Sequence, residues 1–168
     1  FAAYDGSILA KRLRREWLKH LHRTKQWQAY LDDYRPQQDT TLRCAHIAAR
    51  IAVGATELVV ADSRNLWLVG KSQPDACDAA FDYLRANRLL DDALIWERLA
   101  LSLANNKPSL ASYLARQLKG AERKASAEIW IRAHRSPAAT LKQRYFQTDN
   151  ELTRDIVVHA IRRVAAKN

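Results

Sequence analysis

Apolar residues recur at spacings of three and four along most of this chain, which is the periodicity of one face of an α-helix. In the first such segment, from Ser7 to about His22, the apolar face consists of Ile8, Leu9, Leu13, Trp17, Leu18 and Leu21. Only four glycines and four prolines interrupt the 168 residues. Because Ala, Leu, Arg and Lys dominate the rest, helix is favoured over sheet. We therefore predict an all-α protein.

Turn residues divide this pattern into about ten helices. We place them over residues 7–22, 25–34, 39–54, 56–70, 75–87, 91–106, 109–118, 123–134, 136–146 and from 150 onward. The period assigns Leu58 to the buried face of the fourth helix and Ile161 to that of the tenth. The same periodicity predicts that the ninth helix extends through Leu141, Tyr145 and Phe146.

Ten short helices joined by short turns would form five antiparallel pairs, each packed on the next. Such stacking of helical hairpins is typical of an α-solenoid, here called a helical-hairpin superhelix. No strict repeat signature occurs, so a globular helical bundle remains the alternative fold.

The sharpest local signal is the run WLVGKSQPDAC at residues 67–77, a helix end followed by a new helix start. Gly70 can adopt the positive φ of a helix C-cap, and Pro74 suits the first turn of the next helix. The run ends on Cys77, whose one possible partner is Cys44. Two cysteines alone are weak evidence for a bridge, since Cys is also common in the cores of reduced proteins.

This run resembles the corresponding corner of the soluble lytic transglycosylases of the Gram-negative periplasm. In that family a tryptophan-bearing helix leads through GKSQP to a disulfide-bonded cysteine. The stretches LRREWL at residues 13–18 and WQAY at residues 27–30 look like the family's helices just upstream. The rest of the chain matches mainly in its helical texture.

The resemblance implies that Cys44 and Cys77 form a structural disulfide that clips the third helix to the fifth. Such a link would stabilise the fold by roughly 3 to 4 kcal/mol on the chain-entropy model. It also implies an oxidising compartment, the periplasm. Residues 1–168 would then be one segment of the family's U- or ring-shaped superhelical domain. Phe1 at the start and the absence of methionine fit an internal or processed piece.

The net charge of +10 favours polyanionic partners, whether cell-wall polymer, membrane surface or nucleic acid. Lys11, Arg12, Arg14 and Arg15 form a basic face on the first helix. That face either contacts an anionic polymer or is simply solvated. The aromatic stripe of the second helix, with Trp27, Tyr30, Leu31 and Tyr34, could stack on sugars, but its helical spacing favours core packing.

No constellation of residues indicates chemistry, so we predict no catalytic residue, no metal site and no cofactor. The five histidines are dispersed, and none has the spacing of a metal site. Acidic pairs such as Asp32–Asp33 fall at helix ends, where the helix dipole explains them. No apolar stretch is long enough to span a membrane.

The resemblance places catalysis elsewhere. Lytic transglycosylases cleave the β-1,4 bond between N-acetylmuramic acid and N-acetylglucosamine with a glutamate in a lysozyme-like domain, and form 1,6-anhydromuramic acid. That domain carries Glu-Ser, Gly-Leu-Met-Gln and Ala-Tyr-Asn-Ala-Gly motifs, none of which occurs here. We therefore expect the catalytic domain to be absent from this chain.

The resulting hypothesis is a non-catalytic superhelix segment that supports the catalytic domain of the same parent chain and guides peptidoglycan glycan strands. The alternative is a basic helical-repeat module that binds nucleic acid or protein, with nucleic acid the less favoured partner. A self-contained helical enzyme is a third and weaker possibility.

Overall fold

The computed structural model describes residues 7–143, 146 and 149–166. In these ranges it contains 10 α-helices and no strand, which confirms the predicted all-α class. The helices are α1 (Ile8–Arg23), α2 (Trp27–Asp33), α3 (Thr40–Ala52), α4 (Val59–Trp67), α5 (Asp78–Ala86), α6 (Asp92–Ala104), α7 (Pro108–Ala115), α8 (Ala121–Arg135), α9 (Pro137–Leu141) and α10 (Glu151–Ala165).

Side-chain caps explain where several helices begin. Ser7, Asp39, Asp91 and Asn150 each accept a hydrogen bond from a backbone N–H in the first turn of the helix that follows. Asn150 also forms a reciprocal capping box with Thr153. These bonds satisfy N–H groups that have no partner inside the helix, so the cap residues fix the starts of α1, α3, α6 and α10.

The first compact unit comprises residues 7–67 and 73–89 and contains α1 to α5. Its main core cluster consists of Leu18, Leu21, Tyr30, Leu42, Ala45 and Ala49. The hydroxyl of the fully buried Tyr30 donates to the Leu42 carbonyl over 2.7 Å, so α2 is fixed on α3 by a bond as well as by packing.

The second compact unit comprises residues 68–72 and 90–166, with the same gaps in description, and contains α6 to α10. Here α6 packs on α7 and α8, and α10 packs on α8 and α9. Trp96 and Trp130 are both buried, with ring centroids 4.9 Å apart. The indole N–H of Trp96 donates to Asp155 over 3.0 Å and thereby ties α6 to α10.

The apolar face that the sequence periodicity assigns to α1 is only partly buried. Leu18 and Leu21 are fully buried, but Ile8, Leu9 and Leu13 are 74%, 76% and 56% exposed. Helix length gives the reason: α1 has 16 residues and α2 has 7, so α2 is too short to cover the N-terminal half of α1. That half presents an apolar surface.

Two helix starts also differ from the sequence prediction. Leu58, expected inside the fourth helix, has a φ of +58° and is 73% exposed, so α4 begins only at Val59. A left-handed residue cannot continue a right-handed helix. The fifth helix is preceded by a 3₁₀ turn at Asp75–Cys77 and becomes α-helical only at Asp78.

Near the end of the chain, α9 stops at Leu141 rather than continuing through Phe146, and Tyr145 lies outside the described residues. Ile161, expected inside, is 54% exposed. The buried line of α10 runs instead through Thr153, Ile156 and Ala160. Each helical step rotates the side chain by about 100°, so Ile161 faces away from that line.

Candidate functional site

The corner at residues 67–77 is where the sequence signal was strongest, and the structure brings its two cysteines together. The sulfurs of Cys44 in α3 and Cys77 in the 3₁₀ turn lie 1.98 Å apart, with the Cα atoms 4.7 Å apart. Both side chains are fully buried. The structure thus contains the pairing that the family resemblance implied, and its formation in the isolated protein stays a prediction.

Gly70 is required at this corner for a different reason from the predicted one. Gly54 is the glycine with positive φ among the described residues, whereas Gly70 is not in that region. A Cβ on Gly70 would instead collide with the Leu101 carbonyl oxygen and the side chain of Asn105. The glycine therefore permits a close approach of the chain to α6.

Two polar side chains satisfy the backbone around the corner. The Gln73 side-chain amide donates to the Leu66 carbonyl at the end of α4 over 2.9 Å. Arg98, only 4% exposed on α6, donates to the Lys71 carbonyl over 3.4 Å. Helix ends leave carbonyls without partners, which explains the glutamine in the GKSQP run. The sequence does not predict this contact of Arg98, because 27 positions separate it from Lys71.

The basic face of α1 lies on the surface, and its members do not converge on a cleft. Lys11, Arg12 and Arg15 are exposed and Arg14 is partly buried. Arg15 forms an ion pair of 2.9 Å with Asp39, which offsets part of its charge. The face is an open cationic strip, suited to an extended anionic chain rather than to a small ligand.

The aromatic stripe of α2 packs in the first unit, as its spacing indicated. Trp27, Leu31 and Tyr34 pack against the core cluster that contains Tyr30. Trp17 on α1 is different: it is 38% exposed, its indole N–H donates to Asp33 over 2.6 Å, and its ring stacks on His20. A half-exposed, fixed indole beside a basic strip is a suitable surface for a sugar ring.

A cleft of about 210 Å³ opens in the first unit beside α3, and we call it the Arg43 cleft. It is lined by Tyr34, Pro36, Gln37, Arg43, His46, Ile47, Asp62 and Leu66. The Tyr34 and His46 rings stack in parallel with centroids 3.9 Å apart and form one wall. Sequence reasoning missed this cleft because its residues come from α3, α4 and the segment after α2.

Charge in the Arg43 cleft is unbalanced. The Arg50 guanidinium forms an ion pair with the Asp62 carboxylate over 2.7 Å, whereas Arg43 forms no ion pair with any described residue. Burial, reinforced by the positive charge of Arg50, lowers the pKa of His46, so its ring is neutral at neutral pH. The cleft therefore carries an excess positive charge centred on Arg43.

A pair of histidines occupies the second unit. His134 Nδ1 on α8 lies 3.1 Å from His159 Nε2 on α10, and His134 Nε2 lies 3.0 Å from the Asn106 side-chain oxygen. Burial and the neighbouring positive charges of His134, Arg163 and Arg162 lower the pKa of His159 to about 4. Twenty-five positions separate the two histidines in the sequence, so their spacing does not predict this contact.

Within the described ranges no group of three His, Cys, Asp or Glu side chains could hold a metal ion. None of the described helices is long and apolar enough to cross a membrane. The geometry thus offers a cationic strip, a partly buried cationic cleft and a stapled corner.

Comparison with curated proteins gives related sequences. The chain is 32% identical over 111 residues to the soluble lytic murein transglycosylase of Salmonella typhimurium and 31% identical to that of Escherichia coli K12. Each match covers 65% of this chain and 17% of the relative, so the chain spans only a small part of those proteins. No family model matches the sequence.

Solved structures agree over almost the whole chain. Lytic transglycosylase Slt from Pseudomonas aeruginosa, in an inactive mutant form, matches with a TM-score of 0.82 and 30% identity, over 91% of this chain and 25% of that one. The 70-kDa soluble lytic transglycosylase in its complex with bulgecin A gives a TM-score of 0.82 and 26% identity, over 99% and 27%.

The fold and the stapled corner define a class, the all-α helical-hairpin superhelix. Within it, the sequence and structural matches support a partial helical segment similar to that of the soluble lytic transglycosylases. The resemblance carried by the WLVGKSQPDAC run is confirmed.

Proposed function

We propose that this chain is a non-catalytic superhelix segment of a periplasmic lytic transglycosylase and that it supports the catalytic domain of the parent chain. The observation that carries the proposal is the agreement of nearly the entire segment with 25% to 27% of two longer enzymes. The parent would cleave the MurNAc-GlcNAc bond of peptidoglycan to form 1,6-anhydromuramic acid, and this segment would contribute no reacting group.

The exposed apolar end of α1 supports a scaffold role. Ile8, Leu9 and Leu13 form a contiguous surface that nothing in the described part of the chain covers. In a stack of helical hairpins each pair buries its apolar face on a neighbour. We propose that a neighbouring helical pair of the parent chain packs on this surface.

Glycan guidance is the second part of the proposal. The net charge of +10 creates a field that attracts the anionic cell-wall polymer. The strip of Lys11, Arg12, Arg14 and Arg15, with Trp17 beside it, combines cations with an aromatic face that suits a sugar ring. We propose that this strip contacts peptidoglycan.

The test is sedimentation of the chain with purified sacculi. Lys11→Gln combined with Arg12→Gln removes two charges from the strip, and Lys124→Gln combined with Arg132→Gln removes two from exposed positions on α8 as the matched control. We expect the strip variant to lose roughly fivefold more affinity than the control, because salt screens charges beyond about a Debye length and only cations beside the bound polymer attract it strongly. Equal losses would refute the strip as the contact, and an absence of binding by the unmodified chain would refute guidance altogether.

The alternative of a basic module for nucleic acid or protein has no comparable support. The cysteine pairing at the corner suits an oxidising compartment, whereas nucleic acid is found where thiols stay reduced.

A further inference from the structure

The Arg43 cleft has the composition of a binding site for an acidic group. Its lining includes a guanidinium, a side-chain amide and an imidazole, from Arg43, Gln37 and His46. These are the donors that proteins use to bind carboxylates. The apolar part of the lining comes from Ile47 and Leu66, which limit access of water from the core side.

The charges of the cleft favour an anion. The Asp62 carboxylate already accepts from Arg50 over 2.7 Å, so it does not neutralise a second cation fully. Arg43 is exposed. Burial raises the pKa of the Tyr34 hydroxyl, and the nearby positive charge of Arg43 opposes that rise, which places Arg43 close to the aromatic wall. The exposed guanidinium of Arg43 thus lies beside the wall formed by Tyr34 and His46.

The cleft is large enough for a single chemical group, such as a carboxylate, and too small for a whole saccharide. Its volume of about 210 Å³ is below the range of roughly 300–1,000 Å³ that is typical of sites for complete small ligands. The wall is held by packing, because the Tyr34 ring stacks on both the Tyr30 and the His46 ring. A carboxylate at the end of a larger polymer would fit such a place, with the polymer lying outside.

We propose that the Arg43 cleft binds a carboxylate group of peptidoglycan, with Arg43 as its cation and Gln37 and His46 as hydrogen-bonding partners. The proposal rests on the proposed function, which supplies the polymer. Peptidoglycan carries carboxylates both on the lactyl group of N-acetylmuramic acid and on its peptides, and the cleft recognises the chemistry that the two share.

The experiment is a titration of the isotope-labelled full chain followed by two-dimensional NMR. The probes are N-acetylmuramic acid, a D-glutamyl dipeptide, N-acetylglucosamine as the sugar without a carboxylate, and a short oligonucleotide. We expect saturable shifts at the amides of Gln37, Arg43 and His46 with one or both carboxylates. Whichever carboxylate binds more tightly identifies the source. Equal binding of N-acetylglucosamine, or shifts with the oligonucleotide alone, would overturn the proposal.

Arg43→Gln and Arg64→Gln form a matched pair of variants. Both remove one positive charge from an exposed arginine, but Arg64 lies on α4 and does not line the cleft. Loss of a charge-assisted bond predicts about tenfold weaker carboxylate binding for Arg43→Gln and little change for Arg64→Gln. Equal affinities of the two variants would refute the role of Arg43.

Sacculus binding by the unmodified chain separates this proposal from the proposed function. If the unmodified chain sediments with sacculi but no carboxylate shifts the cleft, the cleft proposal fails and the proposed function stands. If carboxylates bind the cleft but the chain does not sediment, glycan guidance fails and the cleft is a carboxylate site without that polymer.

Discussion

At the scale of single residues, the corner shows how one position can be correctly noticed for the wrong reason. Gly70 stood out as a helix-ending glycine, yet its necessity comes from contact with Leu101 and Asn105, which lie some thirty positions later. A sequence pattern reports local backbone preferences, whereas a close approach depends on the tertiary fold. The same holds for Arg98, whose contact with the Lys71 carbonyl has no local signature.

Gly70→Ala should destabilise the fold by about 1–3 kcal/mol, because the new methyl group would have to displace backbone of α6. Denaturant unfolding of the purified chain measures this loss. Gly54→Asn is the matched control: Gly54 has a φ of +79° and open space around it, and asparagine tolerates that region, so its cost should stay below about 1 kcal/mol. An unchanged unfolding midpoint for Gly70→Ala would show that the corner does not need the close approach.

His159 should make stability depend on pH. Its pKa is lowered to about 4 from the ordinary 6.5 by burial and by nearby positive charge, so below pH 6.5 the unfolded chain takes up a proton that the folded chain does not. Stability is complete above pH 6.5 and falls as the pH drops towards 4. Urea unfolding at several pH values follows this loss.

His159→Gln removes this titrating ring and should make the loss of stability between pH 6.5 and 4 shallower, while other buried histidines such as His46 keep their own share of the dependence. Above pH 7 the titration of His159 no longer affects the free energy of unfolding. The difference in stability between the unmodified chain and the variant should therefore stay constant there, which provides the internal control. An equally steep loss in the variant would assign the pH dependence to other residues.

At the scale of the helical elements, most of the fold could be predicted from the sequence. The periodicity of apolar residues and the N-cap residues predicted where α1, α3, α6 and α10 begin, because both signals are local in the sequence. The predicted burial of Ile161 on α10 was wrong, and the incomplete burial of the α1 face was not foreseen, since the periodicity identifies an apolar side but not how far a neighbour covers it. The Arg43 cleft could not be predicted, because three separate elements assemble it.

The Cys44–Cys77 disulfide between α3 and the 3₁₀ turn gives a prediction that two simple measurements can check. Intact mass after alkylation should show two added labels only when the chain is reduced first, since both cysteines are paired in the structure. Replacing Cys44 and Cys77 together by alanine should lower stability by about 3–4 kcal/mol, as expected for a closed loop of this length. The single variants Cys44→Ala and Cys77→Ala should lose the same amount to within about 1 kcal/mol.

Labelling of both cysteines without reductant would contradict the pairing. It would also remove the main argument for an oxidising compartment, and the basic binding-module hypothesis would then need a direct test with nucleic acid.

At the scale of the whole molecule, the chain combines a helical framework with a strong positive charge. The framework is shared with much longer enzymes, of which this chain spans about a quarter in the solved structures. The charge is distributed over exposed helices, with local concentrations on α1 and at the Arg43 cleft. Such a distribution is what the proposed contact with an anionic polymer requires.

The most direct test of this account is the fraction of unmodified chain that sediments with purified sacculi as salt is raised from about 50 mM to about 300 mM. The account predicts clear binding at low salt and a steep decline with salt, because the net charge of +10 supplies much of the attraction. Absence of binding at low salt, or binding that salt does not change, would contradict the proposed contact with peptidoglycan.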